Sequence, residues 1–293
     1  MMKRLASGVA ALATVLLAVP AQAATCAARD DLRAMTYNIR LDVAVDGANQ
    51  WANRREEFLA QIRLVRPDLL GLQEVVPGQY ADLRRGLPGY AFVGGGRDDG
   101  AGQGEASPLA VSRRAFAIAE SGMFWLSPTP ERPTLGWDAA FRRVATWAHL
   151  RRRSDGLRLL AVNTHWDHVG LEARRNSAVQ LRQWIAAHRR AGEAVVLLGD
   201  FNAPLAEASM QTLLEGQQLR DSRAAAREPA VGATITFNAF DPFPKSGQTI
   251  DHILVGGAGV ARYHALAEHF DGRVASDHFP VVADIEPACP GRR

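Results

Sequence analysis

The sequence predicts an α+β fold built mainly from covered β-sheet. Three observations carry this. Nine strand-like runs are spread along the chain, only three helical patterns accompany them, and strand and helix do not alternate in the regular βαβ manner of a parallel-sheet domain. Several runs, 69–75 and 194–198 among them, are apolar at nearly every position rather than every second one, the pattern of a strand buried on both faces.

Taken in order, the first 23 residues read as an export signal rather than as part of the fold. Lys3 and Arg4 supply a positive start, Leu5 to Val19 an apolar run, and Pro20 a break before Ala21-Gln22-Ala23, a small-x-small cleavage pattern. The run falls short of a span of ~20 residues, and no basic stop-transfer cluster follows it, so no membrane anchor is expected after cleavage. Thr25 before Cys26 argues against lipidation. The expected location is periplasmic or extracellular, with residues 24–293 as one domain. In that compartment Cys26 and Cys289 are candidates for a disulfide, which requires the first and last strands to lie side by side.

The strand-like runs are 32–39, 69–75, 90–93, 109–112, 144–151, 157–164, 194–198, 250–255 and 281–285. Helical spacing appears at 53–65, where Phe58, Leu59, Ile62 and Val65 share a face. It recurs at 171–190, where Ala178, Leu181, Ile185 and His188 do so and Gly192 suits the C-terminal cap. A short third helix is predicted at 211–215. Residues 94–104, rich in glycine, and 128–136 read as long surface loops, a common place for function. No internal repeat or long linker interrupts the pattern.

Composition narrows the function classes. The chain of 293 residues is 47% hydrophobic and 22% charged, which excludes disordered, collagen-like and multi-span membrane chains. Removing Lys3 and Arg4 with the signal lowers the formal charge from +3 to +1, too little to pull strongly on a polyanion. Lysine is confined to Lys3 and Lys245, and every other basic residue is an arginine.

The chemistry lies where strands end. Asn38, Glu74, His165, Asp200, Asn202 and Asp251 sit at or just beyond strand ends, and Asp277-His278 precede the last strand. Each alone reads as a turn or cap residue. Gathered at one edge they would form an oxygen-rich cluster with two imidazoles and no cysteine, which suits Mg²⁺, Mn²⁺ or Ca²⁺ better than structural zinc.

The motifs Thr36-Tyr37-Asn38-Ile39-Arg40, Leu72-Gln73-Glu74-Val75, Asn163-Thr164-His165, Gly199-Asp200-Phe201-Asn202, Ile250-Asp251-His252-Ile253 and Ser276-Asp277-His278-Phe279-Pro280-Val281 occur in this order. As an ordered set over about 32–286 they resemble the endonuclease/exonuclease/phosphatase superfamily, the DNase I-like metal-dependent phosphoesterases. Gly96-Arg97-Asp98-Asp99-Gly100, Gly104-Glu105, Phe124-Trp125-Leu126-Ser127 and Gly136-Trp137-Asp138 are similar to a bacterial, often exported, branch. Asn163-Thr164-His165-Trp166-Asp167-His168 is also similar to the nocturnin and deadenylase relatives.

The resemblance implies a four-layer α/β sandwich and hydrolysis of a phosphoester by an activated water, with Mg²⁺, or Mn²⁺ or Ca²⁺, as cofactor. It implies Glu74 as principal metal ligand with Asn38 and Asp277 near it. Asp200 would position or deprotonate the water, and Asn202 would orient it. Asp251 would hold His278, which contacts a phosphoryl oxygen or serves as base. His165 would protonate the leaving oxygen, oriented by Glu105. Arg97, Arg143 and His168 are candidates for substrate contact, and Asp167 for a supporting role.

Rival classes are a zinc hydrolase of metallo-β-lactamase type, disfavoured because Asn163 stands where that pattern needs a histidine, and a binding module without catalysis, disfavoured because no motif residue is lost. Within the enzyme class a small or compact phosphorylated substrate is preferred. DNA or RNA is the alternative. Oligomeric state is left open.

Overall fold

A computed structural model describes residues 31–287. Both the signal segment and the Cys26–Cys289 pair lie outside them. In chain order the elements are β1 (Leu32–Asn38), α1 (Trp51–Val65), β2 (Leu69–Gln73), α2 (Pro77–Gly86), β3 (Tyr90–Val93), β4 (Leu109–Ser112), β5 (Phe116–Trp125), β6 (Val144–Arg152), β7 (Arg158–His165), α3 (Leu171–His188), β8 (Ala194–Asp200), α4 (Ala208–Leu214), β9 (Arg220–Asp221), α5 (Ser222–Ala225), β10 (Val231–Gly232), β11 (Asp251–Gly256), β12 (Ala258–Ala265) and β13 (Val281–Pro287).

The strands form two sheets, ordered β10-β12-β13-β1-β2-β4-β3 and β5-β6-β7-β8-β11-β9. Side chains alternate across each strand, and both faces of the central strands are covered. Leu32 and Ala34 of β1 and Val196 and Leu198 of β8 meet in the core between the sheets. Their neighbours face outward: Met35 and Tyr37 pack with Phe58, Leu59, Ile62 and Leu83 of α1 and α2, while Val195 and Leu197 pack with Leu181, Ile185, Met210 and Leu213 of α3 and α4. The result is helix, sheet, sheet, helix: the four-layer sandwich. The unbroken apolar runs are explained by this double coverage.

The first and last strands are partners. β1 and β13 pair antiparallel, with Leu32 opposite Ile285. Three registers and the start of β13 then decide where chemistry can occur. β1 runs parallel to β2 with Asn38 beside Gln73. β7 runs parallel to β8 with His165 beside Asp200. β11 runs antiparallel to β8 with Asp251 beside Asp200. β13 begins just after His278. The polar ends therefore reach the same edge of both sheets.

Beneath that edge the apolar core gives way to a polar link between sheets. Asn163 of β7 donates to the carbonyls of Leu72 (2.8 Å) and Pro108 (3.0 Å), and its Oδ1 accepts from Gln73 Nε2 at 2.7 Å. Gly71 makes this approach feasible: a Cβ there would stand 2.5 Å from Asn163 Oδ1.

Some elements differ from the sequence reading. β5 and β12 are unannounced in the sequence. β5 is an edge strand with Glu120-Ser121-Gly122 at its centre and a register shift beside Glu120, and β12 is built on Ala, Gly, Arg and His with a shift after Val260, so neither has strand-like alternation. α2, which opens on Pro77-Gly78 as a first helical turn allows, is likewise unannounced in the sequence. The short third helix lies at Ala208–Leu214, N-terminal to its expected place. α3 stops at His188, and Gly192 serves a turn at φ +76° rather than the helix cap. His188 is exposed and stacks on Trp184 instead of joining the buried face. Among the described residues no helix is long and apolar enough to cross a membrane.

Candidate active site

The strand ends line an open cavity of about 430 Å³. Glu74 follows β2, and its carboxylate accepts from Asn38 and Leu41. Asn38 Nδ2 donates to Glu74 Oε1 and to Asp200 Oδ2, each at 2.9 Å. Leu41 N–H donates to Glu74 Oε2 at 3.1 Å. Asn38 Oδ1 is occupied by the Arg40 N–H at 3.0 Å. Asn38 thus presents its NH₂ to the cluster, not the oxygen a metal ligand would need. It holds two carboxylates at a fixed spacing.

Asp200 is the crossing point. Its Oδ1 accepts the Asn202 N–H at 2.8 Å, its Oδ2 lies 3.5 Å from His165 Nε2 and 3.8 Å from His278 Nε2. Burial, and then the charge of neighbouring Asp251, push its pKa up to about 7. His278 Nδ1 pairs with Asp251 Oδ2 at 2.8 Å. Burial opposes a charge on His278, yet Asp251, by charge and hydrogen bond, and then Asp200 and Asp277 raise its pKa well above the usual imidazole value. The pairing with Asp251 thus favours the imidazolium form of His278.

His165 is its opposite. Burial and then the charges of Arg143 and Arg97 lower its pKa well below the usual value. Its Nδ1 faces Arg143 Nη1 at 3.0 Å and can only accept, which places the ring proton on Nε2. That N–H lies 3.5 Å from Asp200 Oδ2, which can accept it, while Asn202 Nδ2, 3.0 Å from the same nitrogen, donates to the Trp166 carbonyl at 2.9 Å rather than to the ring.

Arg143 is 5% exposed and spends its fork inside the protein. It reaches Asp167 Oδ2 (3.3 Å), His165 and His168 Nδ1 (3.1 Å). Asp167 also accepts the N–H groups of Phe141, Val169 and Gly170. Burial raises its pKa, but these backbone donors and Arg143 outweigh it and bring it to about 2. Arg143 is thus committed to holding imidazoles, where a phosphate anchor needs free donors. Glu105 pairs with Arg97 Nη2 at 2.6 Å and not with His165, because both nitrogens of that ring already face other groups. Asp277 approaches Arg40 Nε at 3.8 Å, and burial raises its pKa against the opposing charge of His278.

The donor set fits a hard divalent cation. Glu74, His165 and Asp200 each bring a ligand atom within 4.8 Å of the others, as do Asp200, Asp251 and His278. The second group is consumed by its own ion pair. Around Glu74, crowded carboxylates with raised pKa values at Asp200 and Asp277 form a negative field that a cation would relieve. Asp251 Oδ1 is buried without a partner among the described residues.

Three lining residues were not among the sequence's candidate site residues. Arg40 belongs to the first motif but forms a fork on Asp46, both bonds 2.9 Å. Phe141 and Phe237 lie in loops, where no periodicity marks them. Strain would have been the better pointer. Arg40, Glu74 and Asn202, each just past a strand end, have positive φ (56°, 62° and 48°). Such backbone is costly for non-glycine residues and clusters at functional sites.

A family model described as the endonuclease/exonuclease/phosphatase family matches residues 35–278. A solved protein of that description from Bacteroides vulgatus is 36% identical, with a TM-score of 0.84 over 89% of this chain and 100% of that one. The mannosyl-6-phosphatase of Bacteroides thetaiotaomicron is 33% identical, with a TM-score of 0.83 over 87% and 99%. The human nocturnin catalytic domain is 20% identical, with a TM-score of 0.68 over 88% and 93%, and shares the fold. No curated protein sequence matches the chain.

Proposed function

The chain belongs to the endonuclease/exonuclease/phosphatase family and is a metal-dependent phosphoric ester hydrolase, and from that premise we propose an exported phosphomonoesterase that uses Mg²⁺ or Mn²⁺ on a small or compact phosphorylated substrate. The observation that carries the substrate class is the pairing of the arginines around the cavity. Arg40 is paired with Asp46, Arg97 with Glu105, Arg142 with Asp98 and Arg143 with Asp167. Among the described residues every arginine lining the cavity is paired, which leaves no unpaired basic track there for a nucleic acid backbone. The cavity volume suits a small molecule. Similarity to a mannosyl-6-phosphatase at 33% identity supports a sugar-like leaving group. The signal-like first 23 residues support export.

In this reading Glu74 would hold the cation, with Asp277 lining the same cavity. When bound, the ion supplies Lewis-acid charge for the phosphoryl oxygens. Asp200, poised near neutrality and fixed by Asn38 and the Asn202 N–H, orients the attacking water and takes its proton. The charged His278 donates to a non-bridging oxygen, and Asp251 keeps it charged and aimed. Asn202 Nδ2 and the Nε2–H of His165 offer donors to the substrate oxygens. His165 is neutral, so its contribution is a hydrogen bond to the leaving oxygen rather than the proton of an imidazolium.

The test is a panel of hexose phosphates, glycerol phosphate, phenyl phosphate, phosphodiesters, phospholipid head groups, DNA and RNA, assayed with Mg²⁺ and with Mn²⁺. Monoesters of small polyols should be turned over fastest. Preferred cleavage of DNA, RNA or diesters would overturn the substrate class.

A further inference from the structure

The loop between β3 and β4 and the loop between β5 and β6 meet at the cavity. Arg142 Nη1 reaches Asp98 at 3.1 Å, Trp125 Nε1 donates to the Arg97 carbonyl at 2.7 Å, and the Arg97 guanidinium lies 4.7 Å from the Phe141 ring centre. Asp98, Arg97 and Glu105 are further tied by backbone bonds: Asp98 N–H to Gln103 O and Arg97 N–H to Glu105 O. At this junction the Arg97–Glu105 pair faces the same cavity as Glu74 and His165.

We propose that Arg97, Glu105 and the Phe141 ring form a leaving-group subsite that recognises adjacent hydroxyls of a sugar or other polyol, which rests on the phosphomonoesterase reading above.

Three observations support it. First, the pair carries no net charge. A lone guanidinium would attract the phosphate, but one whose charge is matched by a carboxylate at 2.6 Å offers a dianion little. A neutral hydroxyl is different: it both donates and accepts, and adjacent hydroxyls can donate to the carboxylate while accepting from the fork. Second, the pair is only 11% and 16% exposed by side chain, and burial dominates the pKa of both, lowering that of Arg97 and raising that of Glu105. Taking two charges out of water is expensive, and both side chains line the cavity, where a ligand can reach them. Third, Phe141 is a large apolar side chain left 48% exposed at the cavity, stacked on His168 at 6.0 Å. Its free ring area can cover the C–H face of a sugar ring, removing apolar surface from water. Polar groups that fix orientation beside one apolar wall are the usual build of a small-molecule site.

Kinetics of the full chain with Mg²⁺ decide the matter. For wild type, Glu105→Gln and Arg97→Lys, kcat/KM is measured on a hexose 6-phosphate and on phenyl phosphate, with circular dichroism and thermal melts as folding controls. Glu105→Gln keeps the shape and removes the charge, while Arg97→Lys keeps the charge and removes the fork. The ratio of hexose phosphate to phenyl phosphate kcat/KM should fall about 30-fold in each variant, through KM, because charged hydrogen bonds to the sugar are lost. Parallel losses on both esters, leaving the ratio unchanged, would overturn the subsite and leave the phosphomonoesterase intact. A wild-type protein that hydrolyses neither ester but cleaves polynucleotides would overturn both readings.

Discussion

Nδ1 of His165 sits 3.0 Å from the Arg143 guanidinium, and this contact fixes which nitrogen of the ring can face the cavity as a donor. Arg143 holds His168 in the same way and is itself aimed by Asp167. Replacing Arg143 with Met should lower kcat about 10–100-fold, the usual effect of losing a group that orients a catalytic ligand. It should also lower the melting temperature, since Asp167 loses its buried partner. In ¹⁵N NMR, His165 should then show a mixture of tautomers where the wild type shows only Nε2–H. A single unchanged tautomer in the variant would rule out the positioning role.

His278 supplies a pH test with a definite sign. Its folded pKa lies above the unfolded value of about 6.5. The stability from its pairing with Asp251 is therefore fully present below about pH 6.5 and is lost as pH rises through the raised folded value. Urea denaturation from pH 6 to 10 should show this alkaline decline. Asp251→Asn removes the partner that keeps the ring charged, so the decline should vanish and kcat should fall by roughly 10²-fold or more. An unchanged alkaline slope in the variant would break the assignment.

Metal binding should couple to protons. Asp200 is held at about 7 by burial and by Asp251 in the metal-free site. A cation beside Glu74 favours its ionised form, so Mg²⁺ or Mn²⁺ should bind less tightly at pH 6 than at pH 8 and release protons on binding. Calorimetry in two buffers of different ionisation enthalpy measures the release. The ion should raise the melting temperature, chelation should abolish activity, and Glu74→Gln should lose both the thermal shift and the turnover. A thermal shift that survives in Glu74→Gln would place the ion elsewhere.

The parts of the fold that could be read from the sequence are those buried on both faces. β2, β7 and β8 announce themselves because the sheets and helices leave no solvent face, and their polar ends stand out against an apolar run. β5 and β12 do not: β5 is an edge strand, β12 has only the two-residue β10 on its outer side, and both shift register, so neither needs regular alternation. The same logic divides the site. Asp200, Asp251 and His165 were legible as strand ends, and the registers bring them together. What Arg143, Glu105 and Asn38 touch was not legible. Arg143 reaches two imidazoles across a loop, Glu105 meets Arg97 within a glycine-rich turn, and the Asn38 amide is oriented by one backbone N–H. Such choices depend on contacts of a few ångströms that no spacing encodes.

Gly71 offers a test of how the two sheets set the site. It lies on β2 two residues before Gln73, where the chain faces Asn163 of the opposite sheet. A Cβ would come within 2.5 Å of Asn163 Oδ1 and 2.9 Å of Leu198 Cβ, both in the packed interior. The sheets cannot part locally without breaking the bonds from Asn163 to Leu72, Pro108 and Gln73. Gly71→Ala should thus cost about 1–3 kcal/mol as an overpacked core, read as a lower urea midpoint at unchanged slope. Because Glu74 directly follows β2 and β7 ends at His165, separating the strands should also weaken metal affinity. Pairing the variant with Asn163→Ala should recover part of the packing strain but not the inter-sheet hydrogen bonds. If Gly71→Ala were as stable as the wild type and bound metal equally well, the close contact would not be what holds Glu74 and His165 in register.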